Sequence, residues 1–309
     1  MPPPGSMDIV LLLVCGVATG AAGAVLGTGG GVFLIPILLL GFHVPMHNAV
    51  GTSILTVVAT STAVAIGNLD RGTANMRLGM TLEIATSIGA LTGGMSAALL
   101  PARALEIVFA AVLLPTAFVM WRQRHGEADA AEPKPTGPTQ AATGAVLPLP
   151  TEATSGLTPP QRPGRFTDRL SAEYEDPVLH RRIAYRLHRL WAGLSVSFVA
   201  GVMSGLLGIG GGVFKVPALN VLCGVPMKAA AATSTFMIGV TAAASAFLYF
   251  GHGQVDPSYT SPVVIGVVVG SWVGAYLNRF VGGRAVKRVF AVLLIGVSLE
   301  MFGRGLGWI

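Results

Sequence analysis

A glycine run that occurs twice within apolar sequence is the strongest constraint on how this chain can fold. The first copy reads GTGGGVF from Gly27, with Pro36 three residues after it, and the second reads GIGGGVF from Gly208, with Pro217 three residues after it. Glycine lets the backbone adopt positive φ and lets another group approach closely, so each run predicts a break in a helix. Broken helices at corresponding positions of two halves are typical of the substrate site of a secondary transporter.

The chain contains an internal duplication. A shift of 181 residues superimposes the two glycine runs, and without any gap it also aligns the Val-Pro-Met segments that begin at Val44 and Val225. The same shift aligns the Thr-Ser pairs that begin at Thr52 and Thr233. Self-similarity at one fixed offset indicates two related halves, each built on the same pattern.

The composition is that of an integral membrane protein. Hydrophobic residues make up 52% of the chain and charged residues 11%, whereas soluble proteins carry about 25% charged residues. Several apolar runs meet or approach the roughly 20 residues that an α-helix needs to cross the hydrocarbon core. They lie near residues 9–40, 47–67, 79–100, 104–121, 190–221, 227–250, 260–280 and 286–303. We therefore expect an all-α multi-pass membrane protein.

Two transmembrane repeats, 7–121 and 190–305, are expected on either side of a polar insert, 122–189. Residues 127–164 are rich in Pro, Thr, Ala and Gly, which predicts disorder because few large apolar residues offset the entropy of ordering. Residues 165–189 place apolar side chains three to five positions apart among arginines. That pattern favours an interfacial helix on anionic membrane lipid, and a soluble helix is the alternative.

Basic residues set the expected orientation. The insert contains ten Lys and Arg residues, so the positive-inside rule predicts that it is cytoplasmic. Lys215 lies within a glycine-broken stretch and is left out of the count. If these stretches cross the membrane, the other nine basic residues divide into three inside and six outside; if the stretches re-enter and return, the division is seven to two. The second arrangement fits the rule. It gives two inverted-topology repeats, each with a glycine-broken re-entrant segment and three transmembrane helices, with both termini outside the bacterial inner (plasma) membrane.

The glycine runs are also the first candidates for substrate binding. A short helix begins after each run, and its first backbone N–H groups have no partner within the helix and carry the positive end of the helix dipole. An anion could therefore lie against bare backbone at both tips, although glycines that only permit tight helix packing are the alternative. The candidate residues are Gly29, Gly30, Gly31, Gly210, Gly211 and Gly212.

Hydroxyl side chains that follow the broken segments could donate hydrogen bonds to an oxyanion without adding a fixed charge. The candidates are Thr52 and Ser53 in the first half and Thr233 and Ser234 in the second. In each case the alternative is a hydroxyl bonded back to a carbonyl one turn earlier. Asn48 is a further candidate, and Ala229 stands at its equivalent position, so the expected site is only pseudo-symmetric.

Lys215 lies three residues after Gly212 in an apolar stretch, and Leu34 occupies the equivalent position of the first half. An ionisable residue at membrane depth is a functional candidate by default. Lys215 could add a positive charge to the second tip, or it could extend to the cytoplasmic surface. Glu83 could take part in proton coupling, with a position at the membrane interface as the alternative.

The sequence gives no reason to expect an enzyme, a cofactor, a metal site or a nucleic-acid partner. The histidines show no HExxH or clustered Cys/His spacing. The glycine runs lack the Lys-Ser/Thr of a phosphate-binding loop and do not follow a strand of a soluble α/β unit.

The duplicated G-x-G-G-G-V-F…P run, the Val-Pro-Met segment and the A-x-x-Thr-Ser that follows it resemble those of the TauE/SafE family of sulfite exporters. The resemblance covers roughly 9–121 and 190–305. It implies a membrane transporter of small sulfur-containing anions such as sulfite, sulfoacetate or related organosulfonates.

The resulting hypothesis is export of such an anion by alternating access, with the substrate held between the two glycine tips. One alternative is an importer of a thiosulfate-like anion on the same scaffold. Another is a membrane anchor or signalling subunit that acts through the cytoplasmic insert. The exact anion, the coupling ion and the oligomeric state stay open, and a homo-oligomer is one option.

Overall fold

The computed structural model describes residues 5–26, 29–70, 74–122, 172–176, 181–185, 189–277, 295–296 and 298–304. The first half contains α1 (Ser6–Leu26), α2 (Gly31–Pro36), which continues as a π-helix over Ile37–Gly41, α3 (Met46–Asp70), α4 (Met76–Leu99) and α5 (Ala102–Arg122). Two short strands follow, β1 (Ala172–Asp176) and β2 (Arg181–Tyr185). The second half contains α6 (Leu190–Leu207), α7 (Gly212–Val221), α8 (Met227–Gly251) and α9 (Pro257–Leu277).

Helices α1, α3, α4, α6, α8 and α9 are each long and apolar enough to cross a membrane. Their outer surfaces carry large apolar side chains: Ile84 on α4, Phe247 on α8 and Trp272 on α9 are each more than half exposed. Such surface is unfavourable in water and matches the hydrocarbon of a bilayer. The expectation of a helical, multi-pass membrane protein is confirmed.

Glycines bring the backbones of α1 and α9 into direct contact. A Cβ atom on Gly20 would stand 2.5 Å from the carbonyl oxygen of Val267, and a Cβ on Gly16 would stand equally close to that of Val263. Because the residue numbers rise together along the two helices, α1 and α9 run in the same direction. Small residues that allow close backbone approach are the usual basis of helix packing in membranes.

The contact between α4 and α6 repeats this arrangement. Gly201 of α6 lies directly against the carbonyl of Thr86 on α4. Gly201 and Thr86 are the positions that the 181-residue shift makes equivalent to Gly20 and Val267. The duplication is therefore present in the packing as well as in the sequence. The first helix of each half packs on the third long helix of the other half.

Helices α3 and α8 are in contact with each other, with Ser61 of α3 against Gly239 of α8. Each of them also belongs to one side. Helix α3 is joined to α9 by the Thr52–Thr260 hydrogen bond, and α8 packs along α4, with Gly79 facing the ring of Phe236. The long helices therefore form two bundles, α1, α3 and α9 on one side and α4, α6 and α8 on the other, and both halves contribute to each bundle.

Each glycine run separates a long helix from a short one. Helix α1 has 21 residues and α2 has six; α6 has 18 and α7 has ten. The predicted breaks are found, but the first arm of each broken segment is longer than a segment reaching only the middle of the bilayer requires, since 21 residues span about 31 Å. Pro36 lies inside α2 and is followed by the π-helix, as expected for a residue that cannot donate a backbone hydrogen bond.

The prediction of an interfacial helix over 165–189 is wrong for the parts of this segment that the structure describes, Ala172–Asp176 and Arg181–Tyr185. Residues of β1 and β2 pair as antiparallel strands, with Glu175 opposite Arg182 and Asp176 opposite Arg181. In the sequence, Pro177 stands between the two strands, and proline disfavours a continuous helix. The described chain is thus not purely helical. The segment expected to be disordered, 127–164, lies outside the described residues.

Candidate functional site

The glycine runs adopt the backbone conformation that favours glycine. Gly29 and Gly30 have φ of 86° and 76°, and Gly210 and Gly211 have φ of 75° and 68°. This left-handed region costs other residues roughly 1–2 kcal/mol each because Cβ approaches the following carbonyl oxygen. The local conformation, together with the close packing, explains why the sequence carries glycine at both breaks.

Gly30 caps the N-terminus of α2, and Gly211 caps that of α7, and neither cap includes a side-chain hydrogen bond. The first amides of both helices are therefore not satisfied by a capping side chain, and they carry the positive end of the helix dipole. Each tip also folds back onto the helix before it, since a Cβ on Gly30 would stand 3.0 Å from Thr19 O and one on Gly211 would stand 2.9 Å from Ala200 O.

The two glycine runs lie in contact with each other. A Cβ on Gly31 would stand 2.7 Å from the carbonyl oxygen of Gly208, and the hydroxyl of Ser53 lies against Gly31 and donates a 2.8 Å hydrogen bond to that same carbonyl. Gly29 packs against Val57, at the middle of α3. Sequence reasoning expected the two tips to approach one another, and the described residues bring them together.

The hydroxyl pairs differ in what they bind. Thr52 shares a 2.9 Å hydrogen bond with Thr260, and Thr233 accepts a 2.9 Å hydrogen bond from the backbone N–H of Asn75. Ser234 is completely buried, and its hydroxyl has no hydrogen-bond partner among the described residues. None of these hydroxyls is bonded to a carbonyl one turn earlier, so the main structural alternative for them is not observed. Asn48 is partly exposed in the first turn of α3.

Lys215 does not extend to a membrane surface. Its side chain is 1% exposed, and Nζ donates a 2.7 Å hydrogen bond to Thr241 Oγ1. Thr241 lies 2.6 Å from Glu83 Oε1, and Lys215 Nζ lies 3.7 Å from Glu83 Oε2. Ser87 also donates to Glu83 Oε1, at 3.1 Å. The positive charge of Lys215 is therefore balanced inside the protein.

Glu83 is not among the candidate binding residues, because the sequence favours a position at the membrane interface for it. The structure buries it, with 6% of its surface exposed. One signal was available in the sequence: Glu83 is the only acidic residue of α4. An isolated carboxylate at membrane depth requires a partner, and the buried Lys215 is the partner that the sequence also contained.

A narrow crevice lies beside the first glycine tip. It is too narrow to hold a water-sized sphere in this conformation. Residues from α1, α3 and α8 and the first glycine run line it, namely Gly23, Gly29, Thr60, Ser61, Val64, Thr235 and Ile238. Among the residues that the structure describes, no three His, Cys, Asp or Glu side chains are grouped so that they could hold a metal ion.

The sequence profile described as sulfite exporter TauE/SafE matches residues 12–301 of the chain, including both halves. The chain belongs to this family. Membership agrees with the resemblance carried by the glycine runs, and together with the six apolar helices it identifies a multi-pass membrane transport protein.

Relatives of the chain in bacteria carry matching descriptions. The chain is 24% identical over 307 residues to the probable membrane transporter protein YunE of Bacillus subtilis (strain 168), and the aligned residues cover 97% of this chain and 99% of the relative. It is also 24% identical over 301 residues to a probable membrane transporter protein of Xylella fastidiosa (strain 9a5c), covering 96% of each. YdhB of B. subtilis, another probable membrane transporter protein, is 22% identical over 295 residues, or 95% of this chain and 99% of the relative. No solved structure matches the chain.

Proposed function

We propose that the protein is a secondary transporter that exports a small sulfur-containing oxyanion, such as sulfite, sulfoacetate or a related organosulfonate, across the bacterial inner membrane by alternating access. The substrate class follows the family, whose description names sulfite. The observation that carries the proposal is the contact between the glycine runs at Gly31 and Gly208. Two glycine-capped helix N-termini begin beside this contact, and helix N-termini favour anions.

The hydroxyl of Ser234 supports an oxyanion as the ligand. A buried hydroxyl without a partner is unfavourable, and an oxyanion could accept its hydrogen. The equivalent hydroxyl, that of Ser53, donates a hydrogen bond to the carbonyl oxygen of Gly208 between the two glycine runs. The second half therefore retains a hydroxyl that can donate to a ligand, whereas the proton of the first is already in a hydrogen bond within the protein. The proposed binding residues remain Gly29, Gly30, Gly31, Asn48, Thr52, Ser53, Gly210, Gly211, Gly212, Lys215, Thr233 and Ser234.

The proposal includes inverted repeats, with the insert in the cytoplasm and both termini outside. Helix directions support it. Helices α1 and α9 run the same way by the glycine contacts given above. So do α4 and α6, because Gly201 meets Thr86 and Gly205 meets Ala90. Helices α8 and α9 are joined by five residues, 252–256, which favours an antiparallel hairpin. Helix α8 follows α4, as the contacts of Gly79 with Phe236 and of Gly94 with Leu248 indicate. On this reasoning the equivalent helices α1 and α6 run in opposite directions.

Alternating access would then be a movement between the two bundles rather than between the two halves. Backbone contacts hold α1 to α9 and α4 to α6, so each pair moves as a unit. Helices α3 and α8 form the boundary, and the glycine tips lie along it. The crevice beside the first tip is closed to water, so access for a substrate requires the bundles to separate there.

The test is flux in proteoliposomes that contain the purified protein and labelled sulfite. The Gly30→Leu and Gly211→Leu variants should reduce flux to the level of protein-free liposomes, because a side chain at either tip would meet the backbone of the preceding helix. Gly253→Leu is the matched control. Gly253 has a similar φ of 64° but no atom within 4 Å of its Cβ position, so the same backbone strain arises away from the tips.

Folding of each variant would be checked by size-exclusion chromatography in detergent. Full flux in a folded Gly211→Leu variant would contradict the proposed site. Absence of sulfite and sulfoacetate flux in the wild-type protein would contradict the proposed function. Inside-out and right-side-out vesicles distinguish export from import, the alternative direction on the same scaffold.

A further inference from the structure

A buried ion pair joins the two bundle helices α4 and α8 to the second glycine-broken segment. It consists of Lys215 on α7, one turn after the glycine tip, and Glu83 on α4, with Thr241 of α8 between them. Side chains on a helix lean toward its N-terminus, so the Lys215 side chain extends over the turn that begins at Gly211. The pair therefore lies next to the proposed anion site.

We propose that this pair couples anion transport to a proton: the substrate anion replaces Glu83 as the partner of Lys215, and Glu83 takes up one proton at Oε2. The inference rests on the proposed anion transport and adds its coupling ion. It is independent of the direction of transport.

Glu83 has the geometry that such an exchange requires. Its Oε1 atom is held by Thr241 and Ser87. Its Oε2 atom is buried and has no hydrogen-bond partner among the described residues. The 3.7 Å separation between Oε2 and Lys215 Nζ is an ion pair but is too long for a hydrogen bond. Oε2 can therefore accept a proton without losing the hydrogen bonds that hold the carboxyl group in place.

The fold does not need the pair. At the positions that the 181-residue shift makes equivalent, Leu34 of the first half replaces Lys215, and Val264 of the second half replaces Glu83. The threonine alone is common to both. The hydroxyl of Thr60 donates to the carbonyl four residues earlier, whereas the single hydroxyl proton of Thr241 is shared between the equivalent carbonyl, that of Met237, and Glu83 Oε1. A duplicated framework that has apolar residues at one of two equivalent sites and an ion pair at the other retains the pair for a reason other than packing. Replacing a buried pair by apolar residues is often neutral or stabilising, which agrees with that reading.

Few other charged groups face the pair. Helix α6, which packs on both α4 and α7, has no ionisable side chain over Leu190–Leu207. On α8 the nearest is Tyr249, whose hydroxyl donates to Gly205 O. The remaining ionisable residues of these elements are Arg77, exposed near the start of α4, Cys223, buried between α7 and α8, and Lys228, the second residue of α8.

Charge balance explains why a proton accompanies the anion. In the empty state, Lys215 and Glu83 sum to zero. When a monoanion such as hydrogen sulfite pairs with Lys215, a proton on Glu83 keeps the sum at zero, whereas an ionised Glu83 would leave a net negative charge in the membrane interior. Net charge at that depth is unfavourable. The cycle is therefore electroneutral, one proton with each monoanion, and export occurs when the anion gradient exceeds the opposing proton gradient.

The experiment compares wild-type protein with Glu83→Gln in proteoliposomes that contain a trapped pH-sensitive dye, with labelled sulfite as the probe. Glutamine mimics the protonated carboxyl group, so exchange of labelled for unlabelled sulfite should be retained. The number of protons moved per sulfite should fall by one relative to wild type. Because both proteins transport the same sulfite, any proton that sulfite itself carries contributes equally to both counts and does not affect the difference between them. A proton gradient should drive net sulfite accumulation in the wild type and fail to do so in the variant.

Glu106→Gln is the matched control, since Glu106 is a partly buried acid on α5 near Arg103 and Arg304 rather than beside the glycine tips; it should keep the wild-type proton count. An unchanged proton count in Glu83→Gln would overturn the inference, as would loss of sulfite exchange in a folded Glu83→Gln protein. Sulfite flux driven by membrane potential without proton movement in the wild type would overturn the coupling while the proposed transport stands. No sulfite exchange in the wild type would overturn the proposed function itself.

Discussion

Ser53 on α3 donates a 2.8 Å hydrogen bond to the carbonyl oxygen of Gly208, 155 residues later in the chain. Both groups are buried, and the bond joins the first half directly to the glycine run of the second. The equivalent serine, Ser234, is equally buried and has no partner in the part of the chain that the structure describes. The two equivalent hydroxyls thus differ: that of Ser53 donates a hydrogen bond within the protein, and that of Ser234 does not do so among the described residues.

The first prediction uses this difference. Ser53→Ala leaves the buried carbonyl of Gly208 without its donor, and an unsatisfied buried group costs about 1–3 kcal/mol, so the melting temperature in detergent should fall. Ser234→Ala removes no hydrogen bond and should melt near the wild-type temperature. It should instead reduce the stabilisation that added sulfite gives, because a donor to the anion is lost. Equal melting temperatures for the two variants would contradict this assignment.

The second prediction concerns the two helix seams, which are the glycine-mediated contacts of α1 with α9 and of α4 with α6. Gly20→Val and Gly201→Val should both prevent accumulation of folded protein, because each new Cβ would meet a backbone carbonyl that cannot move independently of its helix. Their effects should be alike, since the 181-residue shift makes the two contacts equivalent. Gly251→Val is the control, as no atom lies within 4 Å of its Cβ position. The measurement is the yield of monodisperse protein from the membrane fraction.

The duplication and the helix breaks could be predicted because both are carried by short motifs of consecutive residues, which can be recognised without knowledge of the fold. Positive φ at Gly30 and Gly211 follows from the glycine runs themselves. The Lys215–Glu83 pair could not be predicted, since the two residues lie on helices 132 positions apart and only the fold makes them neighbours. The β1–β2 hairpin was missed for a different reason. Apolar residues every three to five positions suggested a helix, and the pairing of Glu175 with Arg182 becomes visible only when the segment is folded back on itself.

The third prediction tests the proposed topology. Alkaline phosphatase fused after Ile309 should be active, because it folds only outside the cytoplasm, and a green fluorescent protein fused at the same position should be dark. Fusions within 127–164 should give the reverse result. Activity and fluorescence that place both sites on one side would contradict the inverted arrangement and favour two parallel repeats.

The fourth prediction concerns the insert. Removal of 127–164 should leave sulfite flux in proteoliposomes unchanged, because the proposed site and both seams are made by residues outside it. A second deletion that extends through β2, to residue 185, asks whether the hairpin contributes. Loss of flux in a folded 127–164 deletion would favour the alternative in which the insert performs or controls the activity.

The fifth prediction separates the stability of the ion pair from its function. Glu83→Val leaves the positive charge of Lys215 buried without its counter-charge, and Lys215→Leu leaves the carboxylate of Glu83 in the same situation. Breaking a buried pair in this way typically costs about 3–5 kcal/mol. The double variant Glu83→Val/Lys215→Leu introduces the residues found at the two equivalent positions, Val264 and Leu34, so its melting temperature should recover toward the wild-type value. Its sulfite flux should nevertheless be lost, because neither the positive charge nor the proton acceptor remains. A double variant as unstable as the sum of the two single variants would show that the pair is not an independent addition to the duplicated framework.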